Sequence, residues 1–159
     1  MKLITQFLIL VSLSISLPTM AASFTDWRKT GSDQEKLMHL VKSVSGTSVH
    51  MLQVGERYRN LYWAGKLKKW QFANYQIEEI QELLKIVGIT RPKRKTSADK
   101  FLDKAFSLFP KALNDKNQQL FFKAFQNMRN ECLHCHAINK HSFITLPAVP
   151  KKSNSLVLE

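Results

Sequence analysis

The sequence predicts an all-α protein, an antiparallel up-and-down four-helix bundle with an irregular C-terminal tail. Three observations predict it. Apolar residues recur at intervals of three and four along four stretches, nowhere do they alternate over a strand's length, and the stretches are joined by short connections. Short connections make consecutive helices antiparallel neighbours.

The first helix has a start signal in "SDQE", where Ser32 caps and Glu35 answers from the third helical position. Leu37, Val41, Val44, Ser48, Met51, Gly55, Tyr58 and Tyr62 then share one stripe up to "WAGK", Trp63 to Lys66. Gly46 and Gly55 each cost about 1 kcal/mol relative to alanine inside a helix, so a long first helix bent near Gly46 is expected. In the second helix Trp70, Ala73, Ile77, Ile80, Leu84 and Val87 repeat on one face, and Gly88 stands where a left-handed cap belongs. "RPKRK", Arg91 to Lys95, follows that glycine and contains Pro92, which reads as a solvated basic loop. "TSADKFLDKAFSLF" gives the third helix, with Phe101, Ala105, Leu108 and Phe109 on its stripe and Pro110 ending or kinking it. "NDKNQQLFFKAFQNMRNECLHCH" gives the fourth, on which Phe121, Phe125, Met128, Cys132 and Cys135 share the buried stripe. "FITLPAVPKKSNSLVLE", residues 143–159, reads as extended and irregular.

Ahead of these elements, Met1-Lys2, the apolar run "LITQFLILVSLSISL" and the small residues of "TMAAS" read as a secretory signal peptide, residues 1–22. The rival reading is an uncleaved anchor. Spanning a bilayer takes roughly 20 apolar residues, and this run is shorter and diluted by Thr5, Gln6, Ser12, Ser14 and Ser16. The expectation is an exported, periplasmic chain without stable membrane insertion, its bundle domain at 23–142.

The formal net charge is +12, one unit less without Lys2. A surface this basic favours acidic partners, chiefly through the rate of encounter. Nucleic acid is the usual first suspect for such a charge, and export argues against it. Two cysteines make no multi-bridge framework, so apolar packing must stabilise the domain. No acid–base pair, glycine-rich phosphate loop or serine-centred nucleophile motif stands out, so no enzymatic turnover is expected.

The chemistry concentrates in "NECLHCHAINKH", which holds both cysteines, Cys132 and Cys135, with His136 directly behind them. C-x-x-C-H is the attachment signal for c-type haem. Thiols nearly one helical turn apart can each form a thioether to a vinyl group on one porphyrin edge, and the next residue, His136, then ligates the iron. A redox-active C-x-x-C is a second reading, although it normally opens a helix after a strand. Zinc held by Cys132, Cys135, His136 and His141 is a third, although structural zinc usually staples core-poor domains. A disulfide across one turn is a fourth, and it would constrain almost nothing.

A helical bundle carrying one C-x-x-C-H near the end of its last helix resembles the class II c-type cytochromes, the cytochrome c-prime group. The stretches "YWAGKLKKWQFANYQIEEI" and "CLHCHAINKHSFITLPAVP" are also similar to stretches of small exported bacterial haem proteins described only as cytochrome c-like. The resemblance implies one covalent haem c, assembly by haem-attachment machinery, thioether roles for Cys132 and Cys135, and a proximal iron ligand in His136. The expected activity is one-electron transfer with an acidic redox-partner protein, and pairing of two copies through an outer helix face is compatible with such bundles. The alternative is a five-coordinate haem protein that binds or senses a small gas.

The sixth iron position decides between these two. Met51 is the leading candidate because it lies on the stripe between small Ser48 and Gly55, with core filling as its rival role. Met38, His39 and His50 stand beside it, the histidines mostly off the stripe. Met128 is too close to the attachment site, His134 points outward, and His141 falls just past the helix. Tyr58, on the stripe, offers a phenol towards the iron.

Overall fold

The computed structural model describes residues 26–152, and the signal-peptide reading and the last seven residues of the tail lie outside them. Within that range the chain is all helical, with seven helices and no strand. It divides into two compact units, the boundary falling after Lys42.

The first unit carries α1, Trp27–Thr30, and most of α2, Asp33–Ser43. Asp26 caps α1 by accepting from the Arg28 amide. The expected capping box opens α2: the Ser32 amide donates to Glu35 Oε2 at 2.8 Å, and the Glu35 amide donates to Ser32 Oγ at 3.3 Å. His39 stacks on Trp27 with ring centroids 4.7 Å apart. Leu37, Met38, Leu40 and Val41 are exposed.

The second unit holds α3, Thr47–Lys66; α4, Trp70–Thr90; α5, Pro92–Ala105; α6, Phe109–Asn114; and α7, Gln118–Ile138. α3 packs on α4, α4 on α5, α5 on α7, α6 on α7, and α3 also on α7. The expected long first helix is therefore broken rather than bent: Gly46 is extended (φ −69°, ψ 163°) and serves as N-cap of α3. The break frees the carbonyls of Val44 and Ser45, and the Arg91 guanidinium donates to both, at 3.0 and 2.9 Å.

That contact also corrects the reading of "RPKRK" as a solvated loop. Pro92 stands in the first turn of α5, where its fixed φ suits a helix and its missing N–H is no loss. Basic side chains at a helix start oppose the macrodipole, and here two of them are engaged with oxygen acceptors elsewhere. Arg94 donates to Asn139 Oδ1 at 2.6 Å, which ties the start of α5 to the end of α7.

Gly88 is likewise not a left-handed cap, since it is buried inside α4, which runs on to Thr90. Among the described residues the positive-φ positions belong to Lys68, Lys116 and Lys140 (φ 58°, 49° and 64°), which turn the chain after α3, α6 and α7. Pro110 does fall at a break, but as a first-turn residue of α6 rather than the end of a third helix.

The core is lopsided along the helices. One end is aromatic: Phe121 lies 5.4 to 5.8 Å, centroid to centroid, from Phe109, Trp70 and Phe122. Tyr62 and Tyr58 continue the stack onto Phe125. Towards the other end the packing thins. The core residues of α3 begin at Tyr58, those of α7 stop at Met128, and Met51, Val54, Cys132 and Cys135 are only partly buried.

Candidate functional site

The turn that closes α7 builds the site. Asn139 donates to the Cys135 carbonyl twice, through its backbone N–H at 3.2 Å and its side-chain amide at 2.8 Å, which fastens the last turn of the helix. Lys140 then takes its left-handed conformation, and the His141 amide returns to the His136 carbonyl at 2.8 Å. The reversal sends the tail back along α7. Its carbonyls meet the side chains on the way: Ile144 lies 3.3 Å from His136 Nδ1, Leu146 accepts from Arg129 Nε at 2.9 Å, Pro147 from the Tyr58 hydroxyl at 2.6 Å, and Pro150 from Trp63 Nε1 at 3.0 Å.

The sequence carries the cause. Pro147 and Pro150 disfavour helical backbone at Leu146 and Val149, so the tail's carbonyls are left free of helical bonding. The tail is irregular as expected, but it is a laced strap, and Pro150 is buried.

Cys132, Cys135 and His136 thus stand together on the last two turns of α7. Both cysteines are free thiols. Cys135 lies against α5, its sulfur 3.9 Å from the Ser97 carbonyl and 3.6 Å from Asn139 Nδ2. Cys132 faces the core on the α3 side, where it is coupled electrostatically to Tyr58. Burial, with the neighbouring Cys135 adding to it, pushes the Cys132 thiol up from 9.0 to about 12. Burial also raises Cys135, against hydrogen bonds from Asn139 and Ser97 that lower it.

A thiol held neutral is a poor nucleophile, so the pair lacks the activation that a redox C-x-x-C needs. Among the described residues no three His, Cys, Asp or Glu side chains are gathered to hold a metal ion. The imidazole of His136 has a different aptitude. A carbonyl at Nδ1 fixes that nitrogen as the N–H and leaves Nε2 as the lone-pair donor, the arrangement that orients metal-ligating histidines.

The raised thiols make a pH prediction. Unfolded Cys132 ionises near 9 and folded Cys132 near 12, so above pH 9 the unfolded state has lost a proton that the folded state keeps. Stability present below pH 9 is expected to fall as pH rises towards 12. Tyr58, pushed by burial from 10.0 to about 12, adds in the same direction. Urea midpoints measured between pH 7 and 11 check this, and a midpoint constant across that range would contradict it.

Space around the motif is limited. Beside Cys135 there is a recess of about 30 Å³, while a cleft of about 640 Å³ lies at the aromatic end between α4 and α6, lined by Trp70, Asn74, Ile77, Phe106 and Leu113. The larger cleft has no thiol or imidazole and is set aside. What marks the motif end is apolar surface left outside the core. Among the described residues of the second unit, the three most exposed large apolar side chains are Phe143 (78%), Leu52 (76%) and Ile89 (76%), and all belong to this end. Val49 and Ile138 are exposed there too.

Of the remaining candidates, Met51 is partly buried against the core, whereas Met128 is fully buried in it. The Tyr58 phenol, which its place on the stripe made available to an iron or a bound ligand, donates to the Pro147 carbonyl, and its high pKa disfavours a phenolate. His134 is exposed, and His141 Nε2 sits 3.4 Å from Arg94. His50, expected off the stripe at the surface or boundary, is half-buried, with both ring nitrogens shut off from solvent. Sequence reasoning missed Asn139, Arg94 and the strap carbonyls. The Leu-Pro and Val-Pro pairs were the available signal for the last of these.

No protein-family model, no curated protein and no solved structure matches the chain. What this site can do must therefore be argued from its own chemistry.

Proposed function

We propose that this chain is an exported mono-haem c-type cytochrome that carries single electrons, its haem-binding unit a four-helix bundle of α3, α4, α5 and α7. The observation that carries the reading is the C-x-x-C-H on the last turns of α7 with His136 Nδ1 against the Ile144 carbonyl. Cys132 and Cys135 would hold a haem c covalently and His136 would ligate its iron through Nε2. Bound there, the iron supplies a ferric–ferrous couple. The bundle is supported by the closed circuit of contacts from α3 through α4, α5 and α7 back to α3.

A thinly packed end with stranded apolar side chains fits a protein whose core is completed by a large apolar group. The strap and Asn139 hold the ligand turn in shape, while the loosely built first turns of α3 are the part able to yield room. Cys132 and Cys135 face two different helices, so attachment by dedicated machinery before the helices close over them is the simplest order of events.

The basic surface supplies the docking charge. Lys93 and Lys100 on α5 and Lys140 after α7 are exposed around the motif end. An acidic partner protein is steered to this end through a small, weak interface. Raising ionic strength from 0.01 to 0.15 M shortens the Debye length from about 30 to 8 Å. Electron exchange with an acidic partner is therefore expected to slow severalfold, measured by stopped flow, and a salt-independent rate would remove the steering.

The test of the function is the visible spectrum of protein coexpressed with haem-attachment machinery, taken oxidised, reduced and under carbon monoxide. Reduced haem c bands that persist after denaturation and solvent extraction are expected. Lack of a covalent chromophore would defeat the reading, and rapid, tight carbon monoxide uptake would move it to gas binding.

A further inference from the structure

Among the described residues, buried side-chain nitrogens without a hydrogen-bond partner occur at two places, Gln76 Nε2 and both ring nitrogens of His50. Gln76 is half satisfied, because its Oε1 accepts from Arg57 at 3.4 Å. His50 has nothing. Leaving a buried polar group unpaired costs about 1–3 kcal/mol, and native proteins seldom do so twice on one ring without a use for it.

Contacts from two sides put His50 at the motif end. Gly65 meets Phe121, Tyr62 meets Phe122, and Tyr58 meets Phe125, so α3 and α7 run in opposite directions. Met51 lies seven residues before Tyr58 and Cys132 seven after Phe125. Equal rises of about 10 Å on each helix bring Met51 and its neighbour His50 to the level of Cys132. On the other side, Arg91 reaches the carbonyls just before α3, and Arg94 reaches Asn139 at the end of α7.

The ring also points the right way. His50, Val54, Arg57 and Leu61 follow one another at helical spacing; Leu61 is fully buried, and Arg57 bonds α4 through Glu79. The inward face of α3 is wider than the Met51–Tyr58–Tyr62 stripe and includes His50.

We propose that His50 is the second axial ligand of the haem iron, donating a lone pair from its neutral imidazole, with Met51 as packing beside it. This rests on the haem reading above. It explains why a histidine is enclosed at this level with both nitrogens unpaired, which a packing role does not.

The test uses the full chain matured with haem-attachment machinery and is read by electron paramagnetic resonance and visible spectroscopy. The wild type is expected to be low-spin with the signature of two imidazoles and without the far-red band of methionine ligation. His50→Ala is expected to turn high-spin, to take up carbon monoxide at least about tenfold faster because the sixth site is open, and to return to low-spin when imidazole is added. Should His50→Ala not fold, the wild-type spectrum together with Met51→Leu still decides. A methionine-type spectrum lost in Met51→Leu, or a high-spin wild type, overturns the ligand role. Covalent haem with an unchanged His50→Ala spectrum overturns it while leaving the cytochrome reading standing. Absence of covalent haem in the wild type overturns both.

Discussion

Replacing Gly65 with alanine is expected to destabilise the protein by about 2 kcal/mol or more, the range of overpacked cores, and to lower its melting temperature by roughly 8 °C. A Cβ at this position would stand 2.0 Å from Phe121 Cε1 and 2.4 Å from its Cδ1. The ring cannot swing aside, because Phe121 is fully buried among Trp70, Phe109 and Phe122. α3 would have to move off α7, and the Gly65 carbonyl would lose its bond from Gln118 Nε2 at 2.9 Å. Helix propensity acts the other way, since alanine is favoured over glycine by about 1 kcal/mol. Gly55 isolates that term: a Cβ there meets nothing within 4 Å, so Gly55→Ala is expected to stabilise the chain by up to about 1 kcal/mol. Urea denaturation of both variants, with Gly65→Ala/Phe121→Leu as the relieving double change, checks the argument. A Gly65→Ala protein as stable as wild type would mean that this contact does not set the spacing of α3 and α7.

The same residue pair shows where sequence reading succeeds and fails. Helical periodicity located α4 and α7 closely, because each is a long apolar stripe with polar residues around it, and the capping box at Ser32 and Glu35 formed as spaced. Cys132, Cys135 and His136 stand together on the last turns of α7 because their order on one helix is given by the chain itself. What depends on partners distant in sequence was not legible. The break at Gly46 is held by Arg91, some 45 residues later, and the helical start at Pro92 was obscured by a cluster of cations of which Arg91 and Arg94 find acceptors outside α5. Gly65 carried no signal of its own, since only Phe121 makes a side chain there impossible. The strap was unreadable for a similar reason: a proline-rich tail looks solvated until Tyr58, Trp63 and Arg129 are seen to donate to its carbonyls. His50 is half-buried, as a boundary residue off the Met51 stripe should be, but the loss of solvent at both its ring nitrogens depends on neighbouring elements and was not legible.

Changing Cys132 and Cys135 together to serine is expected to abolish covalently held haem, reducing haem staining on a denaturing gel to background, while the fold survives. The two halves of this expectation have different causes. Attachment needs a thiol at each position, because thioether formation joins sulfur to a vinyl carbon and serine oxygen does not replace it. The fold needs neither, because both residues are free thiols at the edge of the core, three residues apart on one helix, and link no two elements covalently. A serine hydroxyl there can donate to the carbonyl one turn earlier, so the cost of the change is expected to stay near the usual 1 kcal/mol of a point mutant. Each single variant is expected to keep one thioether and therefore stainable haem, with a shifted reduced band from the vinyl group left unsaturated. His136→Ala separates attachment from ligation: on the proposed reading its haem is expected to remain covalent and to lose the spectrum of imidazole coordination, because thioethers would hold the porphyrin edge and the imidazole would hold the iron. Haem that stays bound to the doubly substituted chain through denaturation would mean that the attachment lies elsewhere. Loss of helical signal in that chain would mean that the cysteines support the end of α7, in which case His136→Ala still reports on the iron.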